Sequence, residues 1–433
     1  MSNIGSLELL REFNFWLDGE AAGRGVLRLK YLDRLQSFSK TDSMIVVTGQ
    51  RRSGKSYIMR QYIDRLISSG VPRQDILYLN LFLDDLSRFR NPQHFRQALT
   101  QYEREVASAP QARIYLLIDE ISEMADWQSV IATLLEHPKK TYKIVISGSN
   151  AQLLSADLPH TLRGRYYDLR VYSLGYEEFC TSLKLDGSAR ESFYRYLQMG
   201  GMPEVVSAED PHARANLLTN IKHSTVKNDI IDRYHADPTI IERLIEYTRQ
   251  AYGTTLSIRR ISMHFRAIDA GIAETTIKQY MNWMEDVYWV KKAPIFSART
   301  SDLLKHGEHK YYLGDHGFAF GAGENQGRLL ENLLFNELER HGFTVSSFQG
   351  YHLGRVYEID FMAVRGSRVM FVQCALTVGD PFRDRELHTR EFGNFSKLGR
   401  RVGERIVVSL DQKREEVPGI LHLNPIEFIG LLT

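Results

Sequence analysis

Short apolar runs separated by longer amphipathic stretches organise the first 175 positions. Met44-Ile45-Val46-Val47, Ile76-Leu77-Tyr78-Leu79, Ile114-Tyr115-Leu116-Leu117-Ile118 and Ile144-Val145-Ile146 are apolar runs of three to five residues. Runs that short, without polar alternation, predict strands buried on both faces. Between them apolar residues recur every three or four positions, as in Tyr57, Ile58, Tyr62, Ile63, Leu66 and Ile67. The expected order is strand 44–48, helix 55–69, strand 76–81, helix 93–107, strand 114–118, helix 127–136 and strand 144–148, with a last strand near 166–172. That rhythm predicts an α/β fold with a doubly wound parallel sheet. Residues 1–43 read as helical and partly apolar, and lead into the first strand.

From residue 176 the period turns helical and stays so to about 235, broken once at Gly200-Gly201-Met202-Pro203. A helix-rich lid fits this stretch. Helices are expected next at 239–252, 257–266 and 274–288, then an extended pair near 288–295 and 310–313. Three helices with a terminal ribbon are the pattern of a winged helix-turn-helix. Gly314 to Gly327 is glycine-rich and reads as a linker. A helix at 328–341 and strands near 343–348, 356–364, 368–376 and 405–410 predict a second α/β domain. The expected boundaries are 1–175, 176–236, 237–315 and 328–433.

At 433 residues the chain exceeds what one core organises. A net charge of +2 excludes a global electrostatic footprint for nucleic acid, so any such contact needs a local patch. The two cysteines, Cys180 and Cys374, have no metal-ligand spacing and indicate a reducing compartment. No apolar run approaches the ~18 residues of a membrane span. Acidic residues at 8, 12, 18 and 20 break any signal-peptide core. The expectation is a cytoplasmic protein with no membrane partner.

The run Gly49-Gln50-Arg51-Arg52-Ser53-Gly54-Lys55-Ser56 fits G-x-x-x-x-G-K-[ST], between a predicted strand and a predicted helix. Glycines let such a loop turn its N–H groups onto phosphate oxygens, and the following helix adds its positive dipole end. Lys55 would reach the β- and γ-phosphates of ATP, and Ser56 would hold Mg2+. Asp119 and Glu120 end a buried strand, where carboxylates fall beside such a loop. Asp119 is the second magnesium candidate and Glu120 the general base for water. The bland alternative is a helix N-cap. The strand 143–147 should lie between the loop strand and the acidic strand, which makes Ser149 and Asn150 candidates to sense the γ-phosphate, or else ordinary caps. In Arg163-Gly164-Arg165, a guanidinium could stabilise the charge of transfer and, if the protein forms a ring, reach a neighbour's site; Arg165 is the choice, and the alternative is a surface or structural ion pair.

In order, the segments Gly-Gln-Arg-Arg-Ser-Gly-Lys-Ser (49–56), Leu-Leu-Ile-Asp-Glu (116–120), Ile-Ser-Gly-Ser-Asn (146–150), Leu-Arg-Gly-Arg (162–165), Gly-Gly-Met-Pro-Glu (200–204), Tyr-Tyr-Leu-Gly-Asp-His-Gly (311–317), Leu-Glu-Asn (330–332), Glu-Ile-Asp-Phe (358–361) and Val-Gln-Cys-Ala (372–375) resemble AAA+ P-loop ATPases. The likeness is narrower to the archaeal-type group with a C-terminal domain of unknown function. It covers nearly the whole chain. It implies an ATPase domain with lid, a winged-helix module, a restriction-endonuclease-like C-terminal fold, and assembly into a homo-oligomeric ring, with a hexamer favoured.

Endonucleases of that fold need an acid on a helix, an acid on one strand, and Glu-x-Lys on the next. Here Glu331 and Asp360 match, but Gln373-Cys374-Ala375 supplies neither charged ligand nor lysine. The site reads as a degenerate nuclease centre, with Arg328 or Arg355 as expected partners for its acids. For DNA, Arg259, Arg260, Lys278, Gln279 and Asn282 are candidate contacts in the winged-helix stretch. Glu274, Glu285 and Asp286 on the same helix oppose them. A second basic region runs through Arg383, Arg385, Arg390, Lys397, Arg400 and Arg401. The leading expectation is a DNA-acting motor or switch; the alternative is a nucleotide-gated signalling switch acting on protein partners, and an ATP-controlled nuclease is the third.

Overall fold

The apolar runs become strands β1 (Met44–Thr48), β2 (Ile76–Asn80), β3 (Ile114–Asp119), β4 (Tyr142–Gly148) and β5 (Tyr166–Arg170) of one parallel sheet, ordered β2-β3-β4-β1-β5. The structure, a computed structural model, describes residues 5–138, 141–154, 162, 164–268, 272–297, 304–321, 325–353, 355–379, 384–398 and 403–433. It divides into two units, Met1–Tyr172 and Ser173–Thr433.

In the first unit, alternate residues of each strand serve two different cores. Met44, Val46, Leu116, Ile118, Ile144 and Ile146 face one layer; Ile45, Val47, Leu117 and Val145 face the other. Helices α1 (Ser6–Phe13), α4 (Pro92–Glu105) and α5 (Trp127–Leu135) cover the first face, while α2 (Leu29–Phe38) and α3 (Lys55–Ser68) cover the second. This two-sided cover explains why the strands lack polar alternation. Each fully buried Val, Leu or Ile contributes about 1.5–3 kcal/mol. Lys143 is the polar exception on β4: fully buried, it donates to the carbonyls of Phe38, Thr41 and Ser43 and ties the end of α2 to the sheet.

The second unit begins with helices α6 (Tyr176–Leu183), α7 (Arg190–Met199), α8 (Pro203–Ser207), α9 (Pro211–Ser224) and α10 (Asp232–Tyr234), with a π-helical segment, Thr225–Ile231, between the last two. Next come α11 (Pro238–Ala251), β6 (Thr255–Ser257), α12 (Ile258–Ile268), α13 (Glu274–Asp286), β7 (Val290–Ser297) and β8 (Leu304–Leu313). The remainder is α14 (Gln326–Arg340), β9 (Thr344–His352), β10 (Arg355–Arg365), β11 (Arg368–Ala375), α15 (Arg385–Ser396), β12 (Glu404–Ser409), β13 (Leu421–Leu423) and α16 (Pro425–Leu432). All eight strands form one sheet, ordered β13-β12-β11-β10-β9-β7-β8-β6. The ribbon β7–β8 thus extends the C-terminal sheet, through a parallel pairing of Ile295–Ser297 with Ser347–Gln349.

The expected linker is corrected by this unit. Asp315 and His316 are 1% exposed. The Asp315 carboxylate accepts from the N–H groups of Gly201 and Gly317, and the His316 ring meets the Tyr196 carbonyl at 2.9 Å. A Cβ on Gly200 (φ +75°) would fall 2.3 Å from Asp315 Oδ1 and 2.7 Å from Gly317. Gly200, Gly201 and Gly317 therefore serve close backbone approach, not freedom. Residues 322–324 lie outside the described residues. No helix among the described residues is long and apolar enough to cross a membrane.

Candidate functional site

The turn after β1 is built around Gly49, at φ +146°, where a Cβ would meet the Val171 carbonyl oxygen at 2.1 Å. Gly54 is also left-handed (φ +102°) and starts α3. Between them, Arg52 takes φ 63°, and Arg51 lies over the Phe82 ring at 5.1 Å. Lys55 is 5% exposed. Its Nζ donates to the carbonyls of Gly49 (2.9 Å) and Gln50 (3.1 Å) and stands 3.9 Å from Glu120 Oε1. Ser56 follows on the first turn of α3, half-buried.

Asp119 is fully buried at the end of β3. Its carboxylate accepts from Tyr78 Oη at 2.8 Å and from Ser147 Oγ. Burial first, and then the charge of Asp119, push the Tyr78 phenol well above its ordinary range, so it stays a donor. Glu120 adopts φ 53°. Its N–H donates to Ser147 Oγ at 3.2 Å, and its Oε2 accepts from the Ser149 N–H at 3.3 Å. β4 lies between β3 and β1, which brings Ser147, Ser149 and Asn150 to the acidic end; Ser149 and Asn150 are each 1% exposed.

The residues fit a polyphosphate. Ser53 Oγ and Gln50 Nε2 are buried on the loop and have no hydrogen-bond partner among the described residues. A buried donor left unmade is costly, and a phosphate oxygen would satisfy both. The donor set of one hydroxyl, Ser56, and one carboxylate, Asp119, matches magnesium chemistry. Arg28 went unforeseen: at 3% exposure it donates from Nη1 to the carbonyls of Ser53 (3.0 Å) and Tyr172 (2.8 Å), bracing the loop. No periodicity or motif marks it. Tyr78 was likewise hidden, read as one more apolar strand residue.

Arg165 sits elsewhere. Its carbonyl bonds the N–H of Met44, at the start of β1, whereas the loop leaves the far end. About 13–17 Å of strand separates the two ends. The side chain is 54% exposed and pairs with Glu136 at 2.8 Å. Arg163 lies outside the described residues.

In the second unit, Arg259, Arg260, Lys278, Gln279 and Asn282 are all exposed, while Ile277, Tyr280, Met281 and Met284 of α13 are buried. Glu285 is not on the exposed face: burial, opposed by Lys292, raises its pKa to about 7. Of the second basic region, Arg383, Arg400 and Arg401 lie outside the described residues; Arg390 pairs with Glu391, and Lys397 donates to Asn394.

The structure brings Glu331 of α14 and Asp360 of β10 together, but their expected partners are corrected. Neither Arg328 nor Arg355 supplies the cation. Lys310 of β8 does, at 3.1 Å from Glu331, 3.5 Å from Asp360 and 2.6 Å from Glu358. Asp360 Oδ2 also accepts from the Cys374 N–H at 2.9 Å. Gln373 turns instead to Glu391, donating at 3.1 Å, so it does not complete the carboxylate group.

Residues 41–180 match a family model described as an AAA domain, and residues 190–324 match a domain of unknown function (DUF8612). An uncharacterized protein of Haemophilus influenzae is 32% identical over 385 residues, spanning 86% of this chain and 92% of the relative. The uncharacterized protein MJ1544 of Methanocaldococcus jannaschii is 24% identical over 362 residues, 80% of this chain and 77% of that one. Among solved structures, the Walker-type ATPase PABY2304 of Pyrococcus abyssi aligns with a TM-score of 0.46 at 13% identity, covering 70% of this chain and 97% of that chain.

Proposed function

This chain belongs to one family with the Haemophilus influenzae relative and carries an AAA domain, and from that premise we propose that it binds and hydrolyses ATP at the loop 49–56. The observation that carries the reading is the pair of orphaned loop donors beside Lys55, with Glu120 Oε1 3.9 Å from the ammonium. Lys55 would exchange loop carbonyls for β- and γ-phosphate oxygens. Magnesium, held by Ser56 and Asp119, would supply charge neutralisation on those oxygens. Tyr78 and Ser147 fix the Asp119 carboxylate so that it does not rotate away. Glu120 would orient water and accept its proton, held in place by the Ser149 N–H. Ser149 and Asn150 stand where the transferred group would be sensed.

Phosphate release from ATP tests this. The wild-type chain should turn over ATP with magnesium; Glu120→Gln should keep nucleotide binding and lose turnover at least ~100-fold, as expected when a base is removed but the binding shell is not. Failure of the wild-type chain to bind labelled ATP would sink the proposal.

Action on DNA belongs to the same proposal. The succession α11, β6, α12, α13, β7 and β8 supports a winged helix, with Lys278, Gln279 and Asn282 on the exposed side of α13 and Arg259 and Arg260 on α12. A C-terminal order of helix, three antiparallel strands, helix and strand supports a restriction-endonuclease-like fold without its catalytic set. The protein would work as a homo-oligomeric ring, a hexamer by preference, and Arg165 would act on a neighbouring copy. Duplex or branched DNA should raise turnover several-fold, and the Lys278→Ala/Gln279→Ala pair should remove that rise. One feature favours the protein-directed switch instead: Leu353, 90% exposed, and Val356, 55% exposed, stand at the β9–β10 hairpin. If DNA neither binds nor stimulates, that second reading leads.

A further inference from the structure

Lys310 and Tyr312 are two residues apart on β8 and so share one face of the strand. Helix α14 packs on that face: the Tyr312 ring stacks on Phe335 at 4.2 Å, and its hydroxyl donates to Glu331 at 2.6 Å. Glu358 and Asp360 likewise share a face of β10. All three carboxylates meet the Lys310 ammonium within 2.6–3.5 Å, with only 6% of that side chain exposed. Ser347 Oγ donates to Glu358, and the Cys374 N–H donates to Asp360.

We propose that Lys310 is a built-in cation: its ammonium occupies the centre of the Glu331–Glu358–Asp360 group and closes that centre to divalent metal. Oxygen ligands to a divalent ion stand at about 2.0–2.6 Å, so metal and ammonium compete for the same point. The lysine comes from the ribbon, outside the segment 328–433 that carries the acids. The missing lysine position, Ala375, is therefore not restored in kind: Lys310 makes direct contact with the carboxylates instead of standing free to steer water.

Terbium titration of the full chain, read by tyrosine-sensitised emission, tests the idea, because Tyr312 touches Glu331. Lys310→Met should gain a saturable site at least tenfold tighter than any in the wild type, and Lys310→Met/Asp360→Asn should lose it. Lys310→Arg, which keeps the charge, should behave as wild type. If Lys310→Met does not fold by circular dichroism, Lys310→Met/Glu358→Gln removes the charges as a pair and leaves Glu331 and Asp360 to bind. A wild-type site already sensitive to Asp360→Asn, or a folded charge-removed variant with no gain, overturns the proposal. So does manganese-dependent DNA nicking by the wild type that Asp360→Asn abolishes.

Discussion

Lys55 and Lys310 are buried to the same degree, each 5% exposed, yet their surroundings differ in kind. Lys55 is held by two carbonyl dipoles, with its nearest carboxylate at 3.9 Å. Lys310 touches three carboxylates. Dipoles solvate an ammonium without cancelling its charge, so Lys55 keeps a positive charge to offer an anion. Carboxylates cancel it, so Lys310 is committed to the fold. Burial and residue type alone do not separate a binding lysine from a structural one; the formal charge of its neighbours does.

Exchanging the two lysines for neutral residues should give opposite outcomes. Lys55→Ala is expected to lower ATP turnover at least ~100-fold, since the phosphate contact is lost, and to cost no more than about 1–3 kcal/mol of stability from the Gly49 and Gln50 carbonyls left without a donor. Lys310→Met is expected to cost about 3–5 kcal/mol in the second unit, because three clustered carboxylates, two of them no more than 14% exposed, are left without their cation. Phosphate release from the folded variant should stay within about twofold of wild type, as the substitution leaves the loop itself untouched. A destabilisation below about 1 kcal/mol would show that water replaces the ammonium easily, and the contrast between the lysines would fail.

A smaller effect is expected at Arg28. Arg28→Ala leaves the Ser53 and Tyr172 carbonyls without their donor, which costs about 1–3 kcal/mol. The loop that carries Lys55 would loosen, and ATP affinity measured by fluorescent-nucleotide titration should fall about tenfold, in line with a loss near 1.4 kcal/mol. Unchanged affinity would mean that Gly49 and Gly54 shape the loop unaided.

What the sequence made legible follows from this difference. The strand and helix pattern of the first unit is local, and so are Gly49–Ser56 and Asp119–Glu120; short-range spacing carries them. Partners across the fold are not local. Arg28 reaches Ser53 over 25 residues, and Lys310 reaches Asp360 over 50. Neither sits in a motif, and Lys310 lies in a stretch read as part of another domain. Gly317 misled in the opposite direction. Glycine permits both a flexible chain and a tight backbone contact, and only the facing residues, Gly200 and Asp315, decide between them.

Glu285 sharpens the comparison from the acidic side. It is a mostly buried carboxylate whose Oε1 has no hydrogen-bond partner among the described residues. Burial is the main cause of its rise to about 7; Lys292 pulls the other way, and Asp286 adds to the rise. The folded state therefore holds a proton that the unfolded chain releases near the ordinary glutamate value. The stability this contributes is fully present below about 4.5 and is lost as pH rises through about 7. Replacing the acid with a neutral isostere removes the penalty. Glu285→Gln should stabilise the second unit by about 3 kcal/mol at pH 8 and by nearly nothing at pH 4.5, measured as urea midpoints across that range. An equal gain at both ends would mean that the amide makes a new hydrogen bond, and that the wild-type carboxyl is not the group whose proton is linked to folding.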